Sequence, residues 1–287
     1  MKSAAQRVLL VLVLSLSAHA QEPSANGVNF YSLEREFHAG QDAAAQLMRT
    51  LPVVHDPQID NYLDSLTSEL VRHADSRFAY SFTVYEDRKQ SGPQWVRLEM
   101  PVDAFHSAPV EPIAIAGGPI LIPLSLIADA PDEAALVFQL SHAIAHVALR
   151  HSTKLATREE LTRIAAIPLE QQAWRRGPIT AAAAASGGQI VMEAAFLSFA
   201  RQFELAADFL ATGMMAEAGY DPAAAIPYLE KQPRVIAPRP GKIYSVHPPV
   251  ERRVETIKGR LEKLPAAGYD AQTGAFEEIK ALAAMIH

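Results

Sequence analysis

Three histidines fall within ten positions of an otherwise apolar run, LSHAIAHVALRHS, residues 140–152. A helix turns about 100° per residue, so His142 and His146 stand about 40° apart on one face. That spacing brings two imidazoles within reach of one zinc ion. His151, nine positions after His142, falls on roughly the opposite side of the same helix. It joins such a site only by leaving the helix, and its plainer role is a polar contact at the helix end.

A second pair of chemically capable residues lies in FELAADFLA, where Glu204 and Asp208 are again four apart. A solvated acidic pair is the ordinary reading, but Phe203, Leu205, Phe209 and Leu210 make their surroundings apolar. A carboxylate from Glu204 facing the two histidines completes a three-ligand zinc site with an open fourth position. Asp208, one turn on, is placed to orient a ligand histidine. Helices of this kind carry glutamate directly after the first histidine, where it takes a proton from water that zinc has acidified. Here that position is Ala143. A positioned base contributes about 10²–10⁴ in rate, and alanine supplies none of it. Zinc binding does not need the glutamate, because it is not a ligand.

The elements that must position these groups are mostly helical. Residues 32–51 carry Ala and Leu at helical spacing. From Asp56, a cap followed by Pro57, a stripe of Ile59, Tyr62, Leu63, Leu66 and Leu70 predicts a second helix. FAYSFTVYED, residues 78–87, alternates as a strand. Residues 111–130 hold two apolar runs around Gly117-Gly118, extended chain with a tight turn, and Pro119 and Pro123 confine them to an edge or irregular strand. Helices follow over 132–151 and 156–175. An Ala-rich stretch then breaks at Gly187-Gly188, before a long helix ending at Gly219. Asp221-Pro222 opens another helix, which Pro227 should distort, and residues from His247 onward give a last clear one.

At the start of the chain, Lys2 and Arg7 flank an apolar core too short to span a bilayer, and AHA at 18–20 fits a cleavage site. Residues 1–20 are expected to be a signal peptide and 21–28 a linker. The chain contains no cysteine, so an exported product relies on its core alone, which suits the bacterial periplasm. Of 26 basic and 32 acidic residues, removing Lys2 and Arg7 leaves 24 basic, a formal charge near −8. That balance argues against nucleic acid as a partner. The Ala-rich run is too weakly apolar for a membrane span, so no transmembrane helix is expected after signal cleavage.

SHAIAHVALRHS, RQFELAADFLATGMMAEAGYDP and HPPVERR occur in the order, and near the spacing, of the M48 zinc metallopeptidases. They most resemble the family's soluble periplasmic branch, as does the early stretch NFYSLEREFHAGQDAAAQLMRTLPVVHDPQIDNYLDSL. The similarity covers about residues 29–262. It implies that His142, His146 and Glu204 hold one zinc ion. It also implies that His247 lies over the metal cleft as a gate or substitute base, with the basic Arg253 next to that site. The stretch Ile113, Ala114, Ile115, Gly117 and Gly118 stands where the family has an edge strand that pairs with extended substrate, a sequence-tolerant way to hold a peptide. Glu111-Pro112-Ile113 departs from the family's wording there, and each proline removes an amide donor.

The expectation is a mostly helical α+β protein with a zincin-like core and a small sheet beside the histidine helix. Its peptidase domain covers 29–264, and 265–287 form a C-terminal tail with a helix. Functionally, it reads as a zinc metalloendopeptidase relative of the cell envelope that acts on or binds polypeptides, weakened or inactive because the base is absent. A catalytically dead pseudopeptidase and a helical adaptor or chaperone-like binding protein are the alternatives.

Overall fold

The computed structural model describes residues 27–87, 110–175, 178–232, 247–269, 271–272 and 274–287, without the side chains of 162–163, 165–174 and 178–197. The expected signal peptide and most of the linker lie outside the described residues.

Helix α1, Leu33–Met48, starts where the Ser32 hydroxyl accepts from the Arg35 amide. After β1, Val53–Val54, helix α2 covers Pro57–Arg72, with Asp56 accepting from the amides of Gln58 and Ile59. Its apolar stripe of Ile59, Tyr62, Leu63, Leu66 and Leu70 is buried in the main core. Strands β2, Ser81–Tyr85, β3, Ile113–Ala114, and β4, Pro119–Pro123, complete a four-stranded sheet of order β1-β2-β4-β3. β4 runs parallel to β2 and antiparallel to β3, so among the described residues β3 is an edge.

The two prolines do not put their own strand at an edge. Pro119–Pro123 is the central, fully buried β4. Both prolines sit at strand ends, positions a central strand tolerates. The turn into β4 is tight because Gly118 has φ +126 and any Cβ there would lie 2.0 Å from the Ala79 carbonyl oxygen. On its outer side the backbone of Gly40 in α1 packs directly on Ala116, where a Cβ would meet the carbonyl oxygen at 1.6 Å.

Helix α3, Leu124–Ala128, follows β4 at once, and α4, Glu133–Ala148, is capped by Asp132 accepting from the Ala135 amide. α4 is buried along almost its whole length. The helix expected over 132–151 ends early: Arg150 adopts φ 58, and α5, His151–Arg175, starts in a new direction. A left-handed arginine is uncommon. Here its side chain donates to Glu36 and to the Tyr31 carbonyl, both at 2.6 Å, which anchors the kink to the chain entering α1.

Helix α6, Pro178–Glu217, runs unbroken through Gly187-Gly188, where a break was expected. Two glycines cost a helix only about 1 kcal/mol each. A 3-10 turn at Pro222–Ala224 leads into α7, Ala225–Lys231. Pro227 sits in the first turn of α7, where its missing amide is not needed. α8, Val250–Leu261, packs on α6, and α9, Phe276–Ile286, closes over α3 and α2. The result is a mostly helical α+β fold with the small sheet on one side of α4. Among the described residues, no helix is long and apolar enough to cross a membrane.

Candidate metal centre

The histidine helix α4 and the long helix α6 pack closely along each other. This brings His142 and His146 from one helix against Glu204 from the other. His142 Nε2 lies 3.0 Å from His146 Nε2 and 3.3 Å from Glu204 Oε2, and His146 Nε2 lies 3.4 Å from Glu204 Oε1. Tetrahedral zinc with bonds of about 2.0–2.1 Å places its ligand atoms about 3.3 Å apart. The observed triangle therefore has the dimensions of three corners of such a site. Two imidazoles and one carboxylate are also a common catalytic zinc donor set. Among the described residues, buried Glu204 Oε2 receives no hydrogen bond of good geometry and faces only the imidazole nitrogens of His142 and His247, surroundings that suit an oxygen offered to a cation.

The back of the site is built from charge. His142 Nδ1 lies 3.0 Å from Asp208 Oδ1, and Asp208, wholly buried, receives two hydrogen bonds from Arg253 on α8. Burial disfavours the charged form of His142, but its contacts with Asp208 and Glu204 outweigh this and raise its pKa to about 9. Burial likewise opposes ionisation of Asp208, and Arg253 overcomes it, holding the carboxyl below its usual range. Among the described residues, His146 Nδ1 faces His151 and not a carboxylate. Burial pushes its pKa down to about 4, so it stays neutral, the form that binds metal.

His151 is the residue that sequence reasoning set aside. The kink at Arg150 takes it off the α4 axis and swings its Nδ1 to 3.2 Å from His146 Nδ1. A His146 that offers Nε2 to a metal carries its proton on Nδ1 and donates it to His151. The His151 ring stacks on Phe203, with centroids 4.3 Å apart and planes 9° from parallel. Nothing local demands a left-handed arginine, so the sequence carried no signal for this contact.

His247 comes from the segment before α8. Its Nε2 lies 3.5 Å from Glu204 Oε2 and 3.1 Å from Glu111 Oε2, so it adjoins the triangle of His142, His146 and Glu204 at its Glu204 corner. Burial opposes protonation of His247, but Glu111 and Glu204 win and raise its pKa. Glu111 stands two residues before the edge strand β3. Ile113 and Ala114 form that edge, Ile115 and Gly117 belong to its turn, and Gly118 leads into β4. Ala143 is 2% exposed and packed in the main core, so its methyl group occupies a closed position next to His142. A second group, Glu86, Asp87 and His287, lies elsewhere, with Asp87 engaged by the amide and hydroxyl of Ser125.

A helix bearing two histidines, a carboxylate from a second helix and a sheet edge alongside define the architecture of a metallopeptidase. The sequence profile of Peptidase family M48 matches residues 57–261, and the chain belongs to that family. Among curated proteins it is similar to the beta-barrel assembly-enhancing protease of Escherichia coli (strain K12), 25% identical over 240 residues that cover 81% of this chain and 45% of that protein. The protein of the same name from Yersinia pestis is 23% identical over 246 residues, with the same coverage. The chain thus spans less than half the length of these curated relatives.

Proposed function

We propose that the protein is a zinc-holding M48 relative of the bacterial cell envelope that binds extended polypeptide along β3 and hydrolyses it only weakly. The triangle of His142, His146 and Glu204, at tetrahedral spacing, carries this reading. In it, His142 and His146 hold one zinc ion through Nε2 and Glu204 through its carboxylate. Zinc bound there would polarise the scissile carbonyl and acidify water in the open position. Asp208 and His151 orient the two imidazoles from behind, and Arg253 keeps Asp208 ionised. The edge of β3 pairs with the backbone of the polypeptide, independent of its side chains. His247 lies over the cleft as a gate.

Weak hydrolysis follows from Ala143, which leaves the usual base position without a proton acceptor. The reading of residues 1–20 as a signal peptide supports export to the periplasm. The name of the matched relatives ties those proteins to β-barrel assembly, which makes envelope polypeptides the class of client to test. A catalytically dead pseudopeptidase or an adaptor would share the zinc site or the fold but show no turnover.

The test is zinc stoichiometry of the purified protein together with casein hydrolysis. One zinc per chain, lost in both His142→Ala and His146→Ala, with slow cleavage, is the expected result. A chain without zinc, or one whose zinc survives both substitutions, would overturn the site.

A further inference from the structure

The absence of a base at Ala143 leaves a chemical position to fill, and the described residues bring few carboxylates near it. Glu204 is committed to the metal face. Asp208 is wholly buried behind His142, with both oxygens held by Arg253. Glu111 differs from both. It comes from the segment leading into the sheet edge, and its Oε2 lies 3.1 Å from His247 Nε2. That same nitrogen lies 3.5 Å from Glu204 Oε2, the oxygen that faces His142 at 3.3 Å. One imidazole therefore separates Glu111 from the atoms that would surround the metal. Its side chain is 22% exposed, open to water where Asp208 is not.

We infer that Glu111 takes the place of the missing glutamate as general base, with His247 as the positioning residue that holds its carboxylate over the metal face. The inference rests on the zinc-holding reading above. Location supports it: Glu111 stands two residues before Ile113, so base and bound polypeptide share one edge. Burial opposes ionisation, but His247 and Arg253 keep the carboxyl below its usual range, so Glu111 stands ionised but is a weak base. Its charge also reaches His146. A base must come within hydrogen-bond reach of the water it activates, directly or through small closure on substrate binding.

The step balances simply. The water oxygen bonds to the carbonyl carbon while one water proton passes to Glu111. The carbon–nitrogen bond then breaks, and Glu111 returns that proton to the leaving amine nitrogen. The products are one carboxylic acid and one amine, and Glu111 is regenerated. Delivery from a loop, with His247 competing for the same oxygen, makes Glu111 a slower base than one fixed on α4.

The experiment compares zinc-loaded natural protein, Glu111→Gln, Glu111→Asp and Glu111→Gln combined with Ala143→Glu. Zinc content is read by mass spectrometry, and labelled casein cleavage is resolved into kcat and KM. Glu111→Gln should keep one zinc per chain and its KM, and lose about 10²–10⁴ in kcat. Glu111→Asp, which keeps the charge, should retain part of kcat, and the combined variant should recover turnover. Unchanged kcat in Glu111→Gln would make Glu111 only a tether for His247. Zinc loss in Glu111→Gln would make it a ligand instead. Either result overturns the assignment, as does zinc-loaded natural protein that cleaves nothing. Natural protein without zinc would instead defeat the underlying reading of the site.

Discussion

Arg253 grips both oxygens of Asp208, Nε to Oδ2 at 2.8 Å and Nη2 to Oδ1 at 2.7 Å, and the same Oδ1 lies 3.0 Å from Nδ1 of His142. The pair is buried, and it ties α8 to α6 directly behind a candidate metal ligand. Arg253→Met would leave a buried carboxylate without its partner. Breaking such a pair costs about 3–5 kcal/mol. Urea unfolding should show that loss, and a change under 1 kcal/mol would mean that the guanidinium is not what stabilises Asp208.

The same pair sets an acid limit. Arg253 holds the folded pKa of Asp208 below the ordinary 3.8 of an aspartate, so its ionisation favours the folded state above that value. The contribution is lost as pH falls through the folded pKa. Stability of the natural protein should therefore drop steeply below about pH 4, and Asp208→Asn should flatten that part of the profile. Parallel curves for the two proteins would assign acid unfolding to other groups.

Ala143→Glu restores the residue type that zinc-binding helices of this pattern carry beside their first histidine. Casein hydrolysis should rise at unchanged zinc content, and the rise should reach about 10²–10⁴ only when Glu111→Gln has first removed the base already present. Because Ala143 is packed in the core, the new side chain must find the cleft rather than the apolar side. Retained zinc with no gain in rate would show that it does not.

His151→Phe keeps a ring to stack on Phe203 but removes the nitrogen that faces His146. Zinc affinity should fall about 10–100-fold, the usual effect of losing an outer partner of a ligand histidine. Chelator competition measures this directly. Affinity within twofold of the natural protein would reduce His151 to a packing residue.

Local sequence carried much of the fold. Asp56-Pro57 and the 59–70 stripe specify α2 because a cap, a first-turn proline and helical apolar spacing all agree. His142, His146, Glu204 and Asp208 were legible for the same reason: i, i+4 spacing places side chains on one face whatever the helix packs against. The kink after α4 was not legible, because Arg150 is held left-handed by Glu36 and a Tyr31 carbonyl more than a hundred residues away. The central place of β4 was hidden too. Proline argues against a mid-strand position, yet here both prolines sit at the strand ends.

What the sequence determined by itself is therefore the set of groups available: two imidazoles and a carboxylate at helical spacing, and an alanine where a base belongs. Resemblance pointed to His247 and Arg253 near them, but only the tertiary structure decided which atoms meet and brought in His151 and Glu111. Arg253, His151, His247 and Glu111 reach the centre from four different segments. Contacts of that kind depend on how helices and sheet pack, not on the order of residues within any one of them.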